Sequence, residues 1–234
     1  MAIKENIEYI NKTKAAAAER SGRSPEEVLL IAVTKLHEPD EINEAIDCGI
    51  TDIGENKVQE ILNKYDRVKP VRWHLIGHLQ TNKVKCIIDK LSLIHSVDSL
   101  KLAKEIDKRA SAHNKVMDIL VQVNVAGEET KFGVSSEDAE DLIRQIAEGC
   151  PNVRIKGLMC IAPLEVDPED TRPVFRAVKS LYDKYVNAGI PGIDFEYLSM
   201  GMTQDYEVAV EEGSNCIRVG TAIFGNRDYR KEER

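Results

Sequence analysis

Tracts of glycine or proline are missing from this sequence. Its 14 Gly and 8 Pro are dispersed through 234 residues, which excludes a collagen-like or low-complexity chain. A basic excess is missing too: 32 Lys+Arg stand against 40 Asp+Glu, a net charge of −8. A broad electrostatic footprint for nucleic acid or an anionic membrane is thereby excluded, since such footprints are basic. A local basic pocket for one phosphate is not. The longest charge-free stretch, Trp73 to Asn82, spans about ten residues, where a membrane-spanning helix needs roughly 18. Lys4 and Glu5 fall where a signal peptide would need its apolar region. The five cysteines (Cys48, Cys86, Cys150, Cys160, Cys216) lack any C-x-x-C pair. An odd, dispersed set in apolar contexts reads as reduced thiols and argues against a disulfide framework or a zinc site. A soluble cytoplasmic protein with no metal is expected.

What is present is alternation. Short β-rich apolar runs lie at Val28–Thr34, Asp52–Gly54, Arg72–Ile76, Leu91–Val97, Val116–Val123, Arg154–Ile161, Phe195–Ser199 and Cys216–Val219. Several are continuous hydrophobic runs, as expected for parallel strands covered on their outer face. Between them the apolar residues take helical spacing: Ile42, Ala45, Ile46; Val58, Ile61, Leu62, Tyr65; and Ala139, Leu142, Ile143, Ile146, Ala147. Ser135-x-x-Asp138 reads as a capping box, Asp98 and Thr203 as N-caps, and Gly49, Gly149 and Gly213 as helix stops. No linker rich in Pro, Gly or Ser divides the chain, so residues 1–234 are read as one α/β domain. Eight strand–helix units favour a closed (β/α)8 TIM-type barrel over an open doubly wound sheet. A leading helix over residues 1–20 precedes it, and a charged, mobile tail is expected over 227–234.

In such a barrel the chemistry sits just past the C-terminal end of each strand. Lys35 follows the first run, in LLIAVTK. Asn56 follows the second, in GENKVQE, and His78 the third, in WHLIGHLQTNK. Asn124 follows the fifth, and Met159 ends the sixth. The last two runs give Ser199-Met200-Gly201 and Arg218-Val219-Gly220-Thr221. Taken singly, each residue has an ordinary structural role: a solvated terminus, a cap, a turn. His74 and His95 fall within strands, where a core or barrel-lining role is the default. Together the groups past the strands point at one mouth.

A phosphate site in these barrels is typically built after strands seven and eight, from backbone N–H groups and a short helix N-terminus. SMGMT and RVGTAIFG suit it: glycine lets the backbone approach the oxygens, and Ser199 and Thr221 can donate hydroxyls. The motifs G-x-x-x-x-G-K-[ST] and G-x-G-x-x-G are both absent. A Lys across the mouth from a phosphate cradle suggests a phosphorylated carbonyl ligand held as a Schiff base. Pyridoxal 5′-phosphate (PLP) supplies aldehyde and phosphate together. A sugar-phosphate Schiff-base aldolase would use the same two parts.

These segments, with NVAGEETKFG, GLMCIAP and LSMGMTQDYEVAVEEGSNCIRVGTAIFG, resemble the pyridoxal-phosphate homeostasis proteins (the YggS-like, PROSC family) across essentially the whole chain. The resemblance implies a barrel like the N-terminal domain of alanine racemase, of the fold-type III PLP-protein kind. It implies PLP bound to Lys35, with Ser199, Met200, Gly201, Gly220 and Thr221 around the phosphate. Arg218 would face the pyridine nitrogen, Asn56 and Met159 would neighbour the ring, and His78 is a further cofactor-binding candidate. Lys57 stands where many members have an aromatic residue, and Thr203 where Ser is common.

Arginine keeps its proton, so Arg218 can donate to the pyridine nitrogen without leaving a proton there, and the ring stays a weak electron sink. A racemase also needs acid/base groups on both faces of the substrate α-carbon and exclusion of water. The expected function is therefore a monomer that holds PLP and buffers or delivers it to PLP-dependent apoenzymes in vitamin B6 homeostasis. No catalytic residue is assigned; a weak PLP-dependent amino-acid racemase is the alternative.

Overall fold

The computed structural model describes residues 2–127, 132–163 and 167–225. Eight parallel strands close into a barrel in sequence order: β1 (Leu29–Val33), β2 (Asp52–Glu55), β3 (Arg72–Leu75), β4 (Leu93–Val97), β5 (Met117–Gln122), β6 (Val153–Met159), β7 (Ile193–Ser199) and β8 (Cys216–Val219). Closure is made by β1 on β8, from Leu29↔Cys216 to Ala32↔Val219. This is the (β/α)8 barrel expected from the alternation, and the open sheet is excluded by that last pairing.

The helices are α1 (Ile3–Arg20), α2 (Pro39–Asp47), α3 (Val58–Lys64), α4 (Leu100–Ala112), α5 (Ala139–Gly149), α6 (Arg172–Asn187), α7 (Tyr206–Glu211) and α8 (Thr221–Phe224). Their apolar stripes bury against the outer face of the sheet, where Ala32, Ile53, Leu75, Ile94, Ile119, Ile155, Leu198 and Ile217 form one continuous core with them. In α5 the predicted stripe is buried at Ala139, Leu142, Ile143 and Ile146. Each buried Leu or Ile of that stripe is worth about 1.5–3 kcal/mol when withdrawn from water. Leu62 departs from expectation: α3 is only seven residues long, and Leu62 stays 39% exposed at its edge.

Between β3 and β4 the expected helix is a 3-10 turn, Thr81–Cys86. Val84, Ile87 and Ile88 still follow i, i+3, i+4 and are fully buried, so the crossover covers the sheet with little regular helix. The caps shift by one or two residues. Ser99, not Asp98, caps α4 by accepting from Leu102 N at 3.4 Å. Asp205, not Thr203, stands at the start of α7. Ser135 accepts from Asp138 N at 3.1 Å in a turn just ahead of α5, but the helix starts three residues later, with Asp138 and not Ser135 at its N-cap. Gly49 and Gly213 lie past their helices at φ 98° and 102°, while Gly149 is the last residue of its own.

Helix α1 leads in and packs on the last elements of the chain. It buries Ile7, Ile10, Ala17 and Ala18. Asn6 Nδ2 donates to Ile223 O at 2.7 Å. Arg23 donates to the carbonyls of Val210, Gly213 and Ser214, satisfying acceptors that α7 leaves at its C-terminus. Strands β6 and β7 approach so closely at Gly157 (φ 143°) that a Cβ there would lie 1.8 Å from Tyr197 O. Three of the five cysteines are buried and two half-buried, all as free thiols. No helix among the described residues is long and apolar enough to cross a membrane. The tail over 227–234 lies outside the described residues, as does part of NVAGEETKFG.

Candidate functional site

Strand ends β1, β2, β3, β6, β7 and β8 surround a cavity of about 390 Å³ at the C-terminal mouth of the barrel. Lys35, Asn56, Arg218, Gly220 and Thr221 all line it. Lys35 sits two residues past β1, half-buried, in a turn whose next residue, Leu36, takes φ 67°. That backbone is costly for a branched-chain residue and is held from outside the turn. Leu36 N donates to Glu60 Oε2 at 2.7 Å, and Lys64 Nζ donates to Thr34 O at 2.9 Å. Lys64 also bridges Glu55 at 2.7 Å and Glu60 at 2.8 Å. Burial raises the Glu55 carboxyl to about 7, against the pull of the Lys64 charge. Asn56 is held differently: Gly77 passes so near that a Cβ there would meet Asn56 O at 2.4 Å.

The opposite wall comes from the segments after β7 and β8. Gly201 takes φ 93°, and its missing Cβ would lie 2.6 Å from Ala209 Cβ. The chain then turns through Met202 and Thr203, with Met202 N donating to Asp205 Oδ1 at 2.6 Å. Gly220 N donates to Thr203 Oγ1 at 3.3 Å, joining the two segments. The first-turn N–H groups of Thr221 and Ala222 precede any intrahelical acceptor in α8. His37, past Lys35, stacks on Phe224 at 4.5 Å and so ties the lysine turn to that same α8.

Arg218 forms the floor. It is 4% exposed, and NH1 donates to Ser199 Oγ at 2.5 Å and NH2 to Cys160 O at 2.8 Å. Burial lowers its pKa, but a guanidinium keeps its proton regardless. Asp205, also lining the cavity, is raised by burial, against the opposing pull of Met202 N–H and the Arg218 charge.

The other candidates are placed elsewhere. Ser199 is fully buried beneath Arg218, its hydroxyl taken up there rather than turned to the cavity. Met200 belongs to the outer core, and Met159 packs with Leu93 and Leu120 inside the barrel, both fully buried. Gly201 shapes the turn without lining the cavity. His78 is exposed and stacks on Phe132 at 4.0 Å, beside the mouth. Asn124 opens the loop after β5, where its backbone N–H donates to Val134 O. Met202 and Thr203, from the SMGMT segment assigned to the phosphate, line the cavity, and the lining residues that the sequence reading missed include Gln204 and Asp205 after β7, with Ile161 and Pro163 after β6. The polar run Thr203-Gln204-Asp205 was the available signal for the first two.

A family model described as alanine racemase, N-terminal domain, matches residues 2–228. A pyridoxal phosphate homeostasis protein of Aquifex aeolicus is 46% identical over 230 residues, covering 96% of this chain and 98% of that protein. The chain belongs to the pyridoxal phosphate homeostasis protein family. Among solved structures of similar proteins is PipY of Synechococcus elongatus with PLP bound: TM-score 0.80, 34% identity, 89% of this chain and 100% of that one. Alanine racemase of Clostridium difficile, at 16% identity and TM-score 0.72, covers 57% of its own length here and shares the fold alone. The homeostasis family and the racemase thus have this barrel in common. No group of His, Cys, Asp and Glu among the described residues could hold a metal ion.

Proposed function

We propose that this chain binds PLP at the barrel mouth, holds it as a Schiff base on Lys35, and buffers or delivers it to PLP-dependent apoenzymes. The observation that carries this reading is the placing of Lys35 and of the Gly220–Thr221–Thr203 cradle in one cavity, with the Arg218 cation at its floor. The residues fit the group. About 390 Å³ suits a small aromatic phosphate, Thr203, Thr221 and first-turn N–H groups supply donors for its oxygens, and Val33, Ile76, Ile161 and Pro163 supply apolar walls for a ring.

PLP, when bound, supplies an aldehyde and an electron-accepting ring. Lys35 Nζ, in its unprotonated form, would hold that aldehyde reversibly. Arg218 would donate toward the pyridine nitrogen and keep its proton, which would leave the ring a weak electron sink. The titratable groups lining the cavity among the described residues are Lys35, Asp205 and Arg218. Asp205 commits one oxygen to Met202 N. Racemisation calls for bases on both faces of an α-carbon, so holding is favoured over turnover.

Borohydride reduction of the PLP-loaded protein, followed by peptide mapping, tests the reading. The expected result is a pyridoxyl group on Lys35, absent in Lys35→Ala, which keeps weak phosphate-anchored binding. A reduced adduct on another lysine, or no PLP affinity, overturns it. Incubation with single amino-acid enantiomers should leave optical rotation unchanged over many protein equivalents.

A further inference from the structure

A chain of polar side chains runs through the barrel lumen beneath Arg218. Arg218 NH1 donates to Ser199 Oγ at 2.5 Å, and Ser199 Oγ lies 3.0 Å from His95 Nδ1. His95 Nε2 is 3.0 Å from His74 Nδ1, and His74 Nε2 is 2.8 Å from Asp52 Oδ1. The chain joins β8, β7, β4, β3 and β2. Strands β4 and β7 are not neighbours in the closed barrel, so the His95–Ser199 contact crosses the lumen. Asp52, His74, His95, Ser199 and Arg218 are all between 0 and 4% exposed. At the far end Asp52 Oδ2 accepts from Arg72 NH2 and Thr51 Oγ1, each at 2.7 Å.

With both imidazoles neutral, the contacts set the direction of every hydrogen. A carboxylate only accepts, so His74 Nε2 carries a hydrogen. Burial raises Asp52, but the hydrogen bonds from His74, Arg72 and Thr51 outweigh it and hold the carboxyl below its ordinary value, hence ionised. A neutral His74 then accepts at Nδ1, which places the hydrogen of His95 on Nε2. His95 Nδ1 is left as an acceptor and receives the Ser199 hydroxyl hydrogen. That leaves Ser199 Oγ lone pairs for Arg218. Burial keeps His95 neutral by pushing it well below its ordinary value, with His74 and Arg218 adding to the effect. A charged His74 would reverse the order, giving Ser199 Oγ two donors, His95 Nδ1 and Arg218 NH1.

We propose that Asp52, His74 and His95 are positioning residues that, through Ser199, fix the guanidinium of Arg218 in the orientation it presents to the floor of the mouth. Two neutral imidazoles and one hydroxyl, all donating toward Asp52, leave Ser199 Oγ an acceptor for Arg218 NH1 in one direction, beside the Cys160 carbonyl that takes NH2. A buried network with every member satisfied specifies a single geometry. The consequence for PLP rests on the reading of the mouth given above; the geometry of Arg218 does not.

The test therefore begins with the unliganded protein. Nitrogen-15 imidazole spectra at neutral pH, assigned by loss of signal in His74→Gln and His95→Gln, should show the Nε2–H tautomer for both residues. The guanidinium N–H signals of Arg218, assigned with Arg218→Lys, should be resolved and slow to exchange. In Asp52→Asn and His74→Gln they should collapse toward an averaged signal. Leu120→Ala, in the apolar part of the same lumen, should lose stability and leave them resolved. With PLP added, Asp52→Asn and His74→Gln should shift the absorption maximum of the bound cofactor and release it several-fold faster, again unlike Leu120→Ala.

A His95 Nδ1–H tautomer, a doubly protonated His74, or Arg218 signals indifferent to Asp52 and His74 overturns the proposal. If the variants fail to fold, the wild-type tautomers decide it alone. Wild-type protein that shows the tautomers and the resolved Arg218 but takes up no PLP overturns the reading of the mouth and leaves the positioning chain standing.

Discussion

Leu36 N–H donates to Glu60 Oε2 at 2.7 Å, so the turn carrying Lys35 is fastened to helix α3 rather than to its own strand. Lys64, one helical turn beyond Glu60, adds a second tie to Thr34 O. The lysine thus stands on a backbone that two side chains of a neighbouring unit hold in place.

Glu60→Ala should release that turn. It removes the acceptor of Leu36 N and one of the two carboxylates on Lys64. Loss of about 1–3 kcal/mol of stability is expected, with weaker PLP retention at unchanged adduct site. Denaturant unfolding and equilibrium dialysis check the two effects. Retention equal to wild type would detach the turn from cofactor holding.

Glu55→Gln should flatten the pH dependence of stability. The folded carboxyl is raised to about 7, chiefly by burial, so between its unfolded value near 4.5 and 7 the native state binds the extra proton. Stability from this group is then present at low pH and falls as pH rises through that window, by up to ~1.4 kcal/mol per pH unit. Chemical denaturation from pH 4.5 to 8 should show this slope in wild type and lose it in the variant. The same slope in both proteins would place the titration elsewhere.

Gly201→Ala should distort the wall of the cavity. The residue sits at φ 93°, its Cβ would lie 2.6 Å from Ala209 Cβ, and its carbonyl accepts from Arg218 N at 3.0 Å. A cost of roughly 2–4 kcal/mol is expected from strain and overpacking together, read as a lowered thermal midpoint. A variant as stable as wild type would mean that α7 moves freely against the turn.

Thr203→Val keeps the shape and removes the hydroxyl that accepts from Gly220 N and can donate into the cavity. PLP affinity should fall about tenfold, ~1.4 kcal/mol, and inorganic phosphate should compete less well. Thr203→Ser should restore both. Unaltered phosphate competition in the valine variant would move the anion away from Thr203.

Much of the mouth was legible because its residues end apolar runs. Lys35 closes LLIAVTK, Asn56 follows DIGE, and Arg218 with Gly220 and Thr221 terminates the last strand; all five line the cavity. Ser199, Met200 and Met159 share that sequence setting yet point elsewhere. In strands buried on both faces, lumen-facing and helix-facing residues are alike apolar, and the period-2 contrast that would sort them is faint. Thr203 was read as a helix-start signal and Asp205 was not singled out, whereas the turn that starts at Gly201 carries both to the cavity wall.

By itself the sequence determined the eight strands, their order and the end of the barrel where functional groups gather. Those features depend on local hydrophobic periodicity and on the rule that parallel strands need crossovers. Only the tertiary structure decided that Asp52, His74, His95, Ser199 and Arg218 form one chain. Five residues from five strands, spread over most of the sequence, meet only once the sheet has closed. Which side of each strand faces the lumen is set by barrel tilt and register, quantities that no single strand encodes.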